Sequence, residues 1–350
     1  MTSATLERFS ILSLSAQQLR RLPQLLERCL PAMPSTVKDL DVPRLFREPY
    51  ILSGYRPVGQ EWRFYFLSLF QQHNEALNVW THLLAALAVL LRFWAFSETN
   101  GLLLDVSSLP LYLYILSVLT YLVCSVLAHL LQSHSELAHY SLYFMDYVGV
   151  SVYQYGSALV HYFYSSELAW QETFAPLFLP GAALLGWLSC AGCCYAKYRY
   201  QRPYPVKRKI CQLIPTGLAY LLDISPIAHR LQTCSWSEPA VCLHALQMVF
   251  FLLAAFFFSC PVPERFFPGR CDIVGHAHQI FHLFLSLCTL SQLEAIFTDF
   301  LGRRDNLLLR YDRGEILVAS ASFPFLMCCS LLTAAYLRRN VELRLRKKEN

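Results

Sequence analysis

The chain has 350 residues, of which 55% are hydrophobic, 14% aromatic and only 15% charged, with a formal net charge of +5. That is too much apolar surface for an ordinary soluble core and too few charges to keep it in solution. The balance excludes a water-soluble domain, calls for no nucleic-acid partner and predicts a polytopic membrane protein whose surroundings are membrane lipids.

Residues 1–75 read as a region outside the hydrocarbon. They contain no apolar run behind a basic start, so no cleavable signal peptide is expected and the first span acts as its own insertion signal. Within them Leu14–Leu30 has an amphipathic pattern, with Leu19, Leu22, Leu25 and Leu26 opposed to Arg20, Arg21 and Arg28. Such a helix either packs on the bundle as a solvated arm or lies on the lipid headgroups.

A transmembrane region follows over 76–337. About 20 apolar residues cross ~30 Å of hydrocarbon at 1.5 Å per residue, and runs of that length occur at Ala76–Phe96, Leu109–Leu131, Tyr140–Phe163, Phe174–Tyr195, Lys209–Ile227, Ala240–Cys260, Val274–Phe297 and Ile316–Leu337. The fifth is the weakest, since it carries Pro215 and Asp223. Strand periodicity is absent, so the expected fold is an all-α bundle rather than a barrel. Residues 338–350 form a basic tail.

The 13 cysteines do not form a disulfide scaffold, because Cys124, Cys242, Cys288, Cys328 and Cys329 fall inside apolar runs, where thiols act as small hydrophobes. Cys190, Cys193 and Cys194 end a span beside a basic loop, which favours packing or palmitoylation over a metal or redox site. No N-x-S/T acceptor occurs.

Lys and Arg mark the cytoplasmic side. They gather at Lys197, Arg199, Arg202, Lys207, Arg208 and Lys209 and in the tail at Arg338, Arg339, Arg344, Arg346, Lys347 and Lys348, whereas the loops around Asn100 and Glu167 hold none. Eight spans put both clusters and both termini on the cytoplasmic side; seven would strand the tail outside. Arg303, Arg304, Arg310 and Arg313 are the exception, in an expected outer loop where Asp299, Asp305, Asp312 and Glu315 offset them.

This orientation brings scattered polar residues to one depth. His129 ends the second span, Asp146 lies early in the third, and His278 and His282 open the seventh; Glu75, Asn78 and His82 at the start of the first share the level. Ionisable groups in spans cost roughly 2.5–3.5 kcal/mol at the bilayer centre and usually mark an ion, a relay or a ligand. His278 and His282 are four apart and project from one helix face, as do Ser125 and His129. Three imidazoles suit tetrahedral Zn²⁺ with a fourth position open to water. Asp146 is then a candidate to hold that water, to orient a ring, or to act as base. The pair is not an HExxH helix, because Gln279 stands where that motif has its glutamate. Against this stands the plain alternative that the histidines hydrogen-bond between helices. His134 and His276 read as loop histidines, Asp223 as an interhelical hydrogen bond, and Tyr143, Tyr147, Tyr153 and Tyr155 as core or interfacial aromatics.

The combination Glu75-x-x-Asn78 with Thr81-His82, Ser125-x-x-x-His129 with Asp146-Tyr147-x-Gly149, and His278-Gln279-Ile280-Phe281-His282 resembles the progestin and adipoQ receptor family. The stretch Leu45-Phe46-Arg47-Glu48-Pro49-Tyr50-Ile51 with Gly54-Tyr55-Arg56 fits as well. Val152-Tyr153-Gln154-Tyr155-Gly156, Tyr198–Pro205, Cys260-Pro261-Val262-Pro263-Glu264 and the eighth span are similar to its alpha/beta membrane progestin receptor branch. The resemblance implies a seven-helix core plus an eighth C-terminal helix. It further implies a plasma-membrane receptor for progesterone-like steroids, signalling through inhibitory G proteins and acting in oocyte maturation. It also implies zinc on His129, His278 and His282. The competing reading is a zinc-dependent, ceramidase-like hydrolase in which Asp146 is the catalytic base; a transporter reading lacks an inverted repeat. The sequence names no steroid-contacting residue.

Overall fold

The computed structural model describes residues 33–202 and 204–349. The Leu14–Leu30 helix lies outside them. The chain from Thr36 onward forms one compact unit.

The bundle is built from helices α1 (Ala76–Asn100), α2 (Leu109–Leu131), α3 (Glu136–Val160), α4 (Leu168–Arg199), α5 (Val206–Asp223), α6 (Ser225–Thr233), α7 (Pro239–Ser259), α8 (Ala277–Arg310) and α9 (Arg313–Glu349). Their ends follow local chemistry. Gly101, in the left-handed region at φ 55°, closes α1. Ser135 caps α3, its side chain accepting from the Ala138 N–H at 3.1 Å. Pro239 opens α7, where its missing N–H costs nothing. Among the described residues there is no strand, only an isolated bridge between Val37 and Tyr55.

Six of these helices are long and apolar enough to cross a membrane, and α5 with α6 make a seventh as a pair bent by 43°. The bend has a cause: Pro226 has no N–H to give the Leu222 carbonyl, so the ladder breaks at Ile224. Helix α3 is 25 residues long but more polar, because its side chains meet neighbours on several sides rather than lipid. It packs on α2, α4, α5 and α9. Gly149 and Gly156 bring it close to α2: a Cβ on Gly149 would stand 2.8 Å from the Tyr121 Cα, and one on Gly156 2.1 Å from Ser117 Oγ.

The helices run past the expected spans. α3 starts at Glu136 and ends in a wide turn, His161–Ser165; α4 starts at Leu168, while α8 starts at Ala277, three residues later than the expected Val274. α8 continues to Arg310, so Arg303 and Arg304 are helical rather than in a loop, and Asp299 is buried in the helix instead of offsetting loop charge. The basic tail continues α9 as helix to Glu349.

At the end of the bundle where α2 meets α3 and α4 meets α5, residues 36–75 form a cover. Val42, Phe46, Ile51 and Tyr55 make its small core, and Asp272 fastens it by accepting from the Leu52 N–H at 3.1 Å and Ser53 Oγ at 2.6 Å. Arg56 is buried beneath it, donating to Ser68 Oγ at 2.9 Å, to the Leu130 carbonyl and to the His129 carbonyl at 2.7 Å. Burial lowers its guanidinium pKa to about 10, with Glu75 opposing the fall, so it stays cationic at neutral pH. On the outside of the bundle Arg92 of α1 and Glu294 of α8 pair through two contacts of 2.6 and 2.7 Å.

Candidate functional site

Two polar clusters sit in the bundle, one at each end. At the covered, basic end, one ring nitrogen from each of His129, His278 and His282 falls within 4.8 Å of the others. His129 Nδ1 donates to Glu75 Oε2 at 2.7 Å, and Asn78 Nδ2 donates to the same oxygen at 2.6 Å. A carboxylate on Nδ1 leaves the lone pair of His129 on Nε2, which lies 3.4 Å from His278 Nε2. His82 stacks on His282 with centroids 4.0 Å apart, and neither ring nitrogen of His82 has a protein partner among the described residues.

These donors fit a metal. Zinc–imidazole bonds of ~2.0–2.1 Å in a tetrahedron set ligand nitrogens roughly 3.3 Å apart, close to the His129–His278 separation. As a direct hydrogen bond, 3.4 Å is long. The carboxylate behind His129 is the arrangement that fixes a ligating ring and raises its basicity.

The ring-orienting role expected of Asp146 falls to Glu75. Asp146 is half-buried on α3, within electrostatic reach of His129 and Lys197. Ser125 is buried one turn before His129. Lys197 holds its ammonium 3.8 Å over the Tyr143 ring, which itself meets His129 edge-on at 5.7 Å. His276 is more than a loop histidine: it is buried and its Nε2 donates to the Asn74 carbonyl at 2.9 Å. His134 stacks on Trp62. Burial keeps His73, outside the spans, well below an ordinary histidine, and its neutral Nδ1 accepts from the Glu75 N–H at 3.1 Å.

The second cluster lies toward the other end. Asp223 accepts from Ser157 Oγ at 2.7 Å and from His161 Nδ1 at 2.9 Å, the interhelical bonds expected of it. Gln292 Nε2 donates to Ser157 Oγ at 2.6 Å, and its Oε1 accepts from the hydroxyls of Tyr153 at 2.5 Å and Tyr114 at 3.1 Å. Two turns further along α8, Asp299 takes two 2.7 Å contacts from Arg230 and one of 2.8 Å from His244. Beside the Asp223 group, α3, α5, α7 and α8 enclose a cavity of about 40 Å³.

The helix-bundle architecture, the histidine triad and the motif of the first span coincide in residues 70–293, which match the model of the family described as haemolysin-III related. The chain belongs to this family. As a haemolysin-III related protein it is 65% identical to membrane progestin receptor beta of Homo sapiens, with all of each chain covered. It is 50% identical to membrane progestin receptor alpha-B of Danio rerio, again over both full lengths. With membrane progestin receptor alpha of Homo sapiens it shares 53% over 86% of this chain and 87% of the relative. The family match stops before α9, whereas the beta and alpha-B relatives, matched over the full chain, extend through it.

Sequence reasoning missed Glu75 as the histidine's partner, read Asp299 as loop charge, and missed Gln292, Arg230 and His244 altogether. A signal existed: His282, Ser286, Thr289, Gln292 and Asp299 form a buried polar stripe at helical spacing down the otherwise apolar α8.

Proposed function

We propose that this multi-pass membrane protein is a progestin receptor of the plasma membrane. It binds a progesterone-like steroid within the helical bundle and reports occupancy at its basic end to a heterotrimeric G protein of the inhibitory class, in oocyte maturation. The observation that carries the reading is full-length identity of 65% to a protein named for progestin reception. A ligand can shift the helices only through unequal affinity for two arrangements, and the bent α5–α6 pair supports such a pair of states. The concentration of Lys and Arg at the α4–α5 connection and in the last turns of α9 supports a cytoplasmic assignment for both termini.

Zinc on His129, His278 and His282 belongs to the same proposal. Bound there it would tie α2 to α8, and it would supply Lewis-acid polarisation to any carbonyl reaching its open position. The rival reading, a ceramidase-like hydrolase with Asp146 as base, draws on the same three imidazoles.

The test is saturable, displaceable binding of labelled progesterone to membranes carrying the full chain, with metal measured by mass spectrometry on wild type and on the His278→Ala/His282→Ala variant. Saturable binding with about one zinc per chain, lost in the variant, is expected. No saturable progesterone binding overturns the receptor reading. No zinc in wild type reduces the histidines to interhelical contacts.

A further inference from the structure

Around Asp223 and Gln292 the second cluster pairs its donors with acceptors, but two groups on the adjoining cavity stand apart. The Tyr220 hydroxyl and the Gln154 Oε1 are buried with no protein hydrogen-bond partner among the described residues, and both residues line the cavity. Polar groups left unpaired in a buried site are what a bound ligand satisfies.

The shape of the site indicates what enters. Its inner wall is polar and fixed, through Ser157, His161 and Gln292. Its outer wall is a single aromatic stack, Tyr220 on Phe251, with ring centroids 3.5 Å apart and planes 7° from parallel. Beyond that stack Leu218, Leu221 and Leu252 are exposed on the bundle's flank, so the approach runs through hydrocarbon rather than water. The free space is far smaller in volume than a four-ring skeleton requires, so the stack must part. The chain is built for that motion: Tyr220 stands one turn before the break at Ile224, where α5 is no longer held by a continuous ladder.

We propose that this cavity, between α3, α5, α7 and α8, is the steroid site: a ketosteroid enters sideways between Tyr220 and Phe251, and the Tyr220 hydroxyl donates to its ketone oxygen. The assignment rests on the progestin reading above. Gln154, on the facing helix, reads the ligand's other polar end, its amide turning to present Nε2 where the ligand offers an acceptor. The site lies apart from the histidine triad, so steroid and metal occupy different halves of the bundle.

Labelled progesterone binding to membranes carrying the full chain tests this with Tyr220→Phe and Cys288→Phe. The first keeps the ring on Phe251 and deletes only the hydroxyl; the second fills the cavity from α8, and its surface expression is measured alongside. Tyr220→Phe is expected to weaken binding roughly three- to tenfold, the value of one net hydrogen bond. It is also expected to abolish the preference of wild type for progesterone over an analogue whose ketone has been removed, a change that loosened packing alone would not produce. Wild-type binding with both variants unchanged in affinity and preference overturns the site while leaving the receptor reading intact. Absence of wild-type binding overturns both. If Cys288→Phe fails to reach the membrane, the Tyr220→Phe preference decides the matter alone.

Discussion

Glu75 offers the sharpest probe of the histidine triad. Both buried donors that reach it, His129 Nδ1 at 2.7 Å and Asn78 Nδ2 at 2.6 Å, end on the same oxygen, Oε2. Glu75→Gln can therefore keep both hydrogen bonds with its amide oxygen in that position and removes only the negative charge. Charge-assisted bonds are roughly twice as strong as neutral ones, and carboxylates behind ligating histidines are worth about 10–100-fold in metal affinity. The Gln variant is expected near the low end, about tenfold or ~1.4 kcal/mol. Glu75→Ala leaves His129 Nδ1 and Asn78 Nδ2 unpaired in a dry site, so it is expected near 100-fold. Zinc affinity measured by chelator competition on purified protein gives the ordering wild type, Gln, Ala. Equal affinities in all three would refute the argument, because they would mean that the carboxylate neither orients nor polarises the ring. Equal losses in Gln and Ala would refute the claim that geometry survives when charge is removed.

Three further outcomes follow from the packing. Gly149→Ala sets a methyl 2.8 Å from backbone at Tyr121, which cannot swing aside; a loss of about 1–3 kcal/mol is expected, read as a lower midpoint in thermal unfolding, and an unchanged midpoint would show that α2 and α3 can separate freely. Arg56→Met removes the donors for the His129 and Leu130 carbonyls and is expected to increase proteolysis of the cover over 36–75 while the spans stay protected. Burial raises the Glu167 carboxyl, but the Arg303 hydrogen bond and charge, with Arg230 and Arg310, outweigh it and hold it below the ordinary glutamate range. A lowered carboxylate stabilises above its unfolded pKa and loses that contribution as pH falls through the folded value. Stability should thus decline below about pH 4.5, and Glu167→Gln should lack that component of the decline in a pH series of unfolding midpoints.

Much of the architecture was legible because spanning helices are written in local composition. Eight apolar runs map onto the helices, and the pattern failed where hydrocarbon ceases to set the length. α8 and α9 run on through polar residues because intrahelical bonds and pairs such as Arg303–Glu167 at 2.5 Å sustain them beyond the lipid. The weak fifth run is a helix pair: Pro215 and Asp223 made it weak, Pro226 bends it, and Asp223 also lines the cavity. In the triad, His278 and His282 announced themselves through spacing four, and His129 through depth. Glu75 shared that depth, but its pairing with His129 was not legible, since the two are 54 positions apart and only tertiary packing decides which carboxylate reaches a ring. Asp299 looked like loop charge until the helix around it was seen to continue.

The Arg92–Glu294 pair has a bearing on how the protein is handled. Its side chains are 52% and 37% exposed, so the strength of the contact depends on what surrounds the bundle. Attraction between two full charges varies inversely with the dielectric constant, strong against acyl chains and weak where a micelle admits water and salt. The pair joins α1 to α8, the helices that carry His82 and His282. A detergent that wets this seam would loosen the two histidine-bearing helices without touching a single residue of the site, and reconstitution into a bilayer would draw them together again.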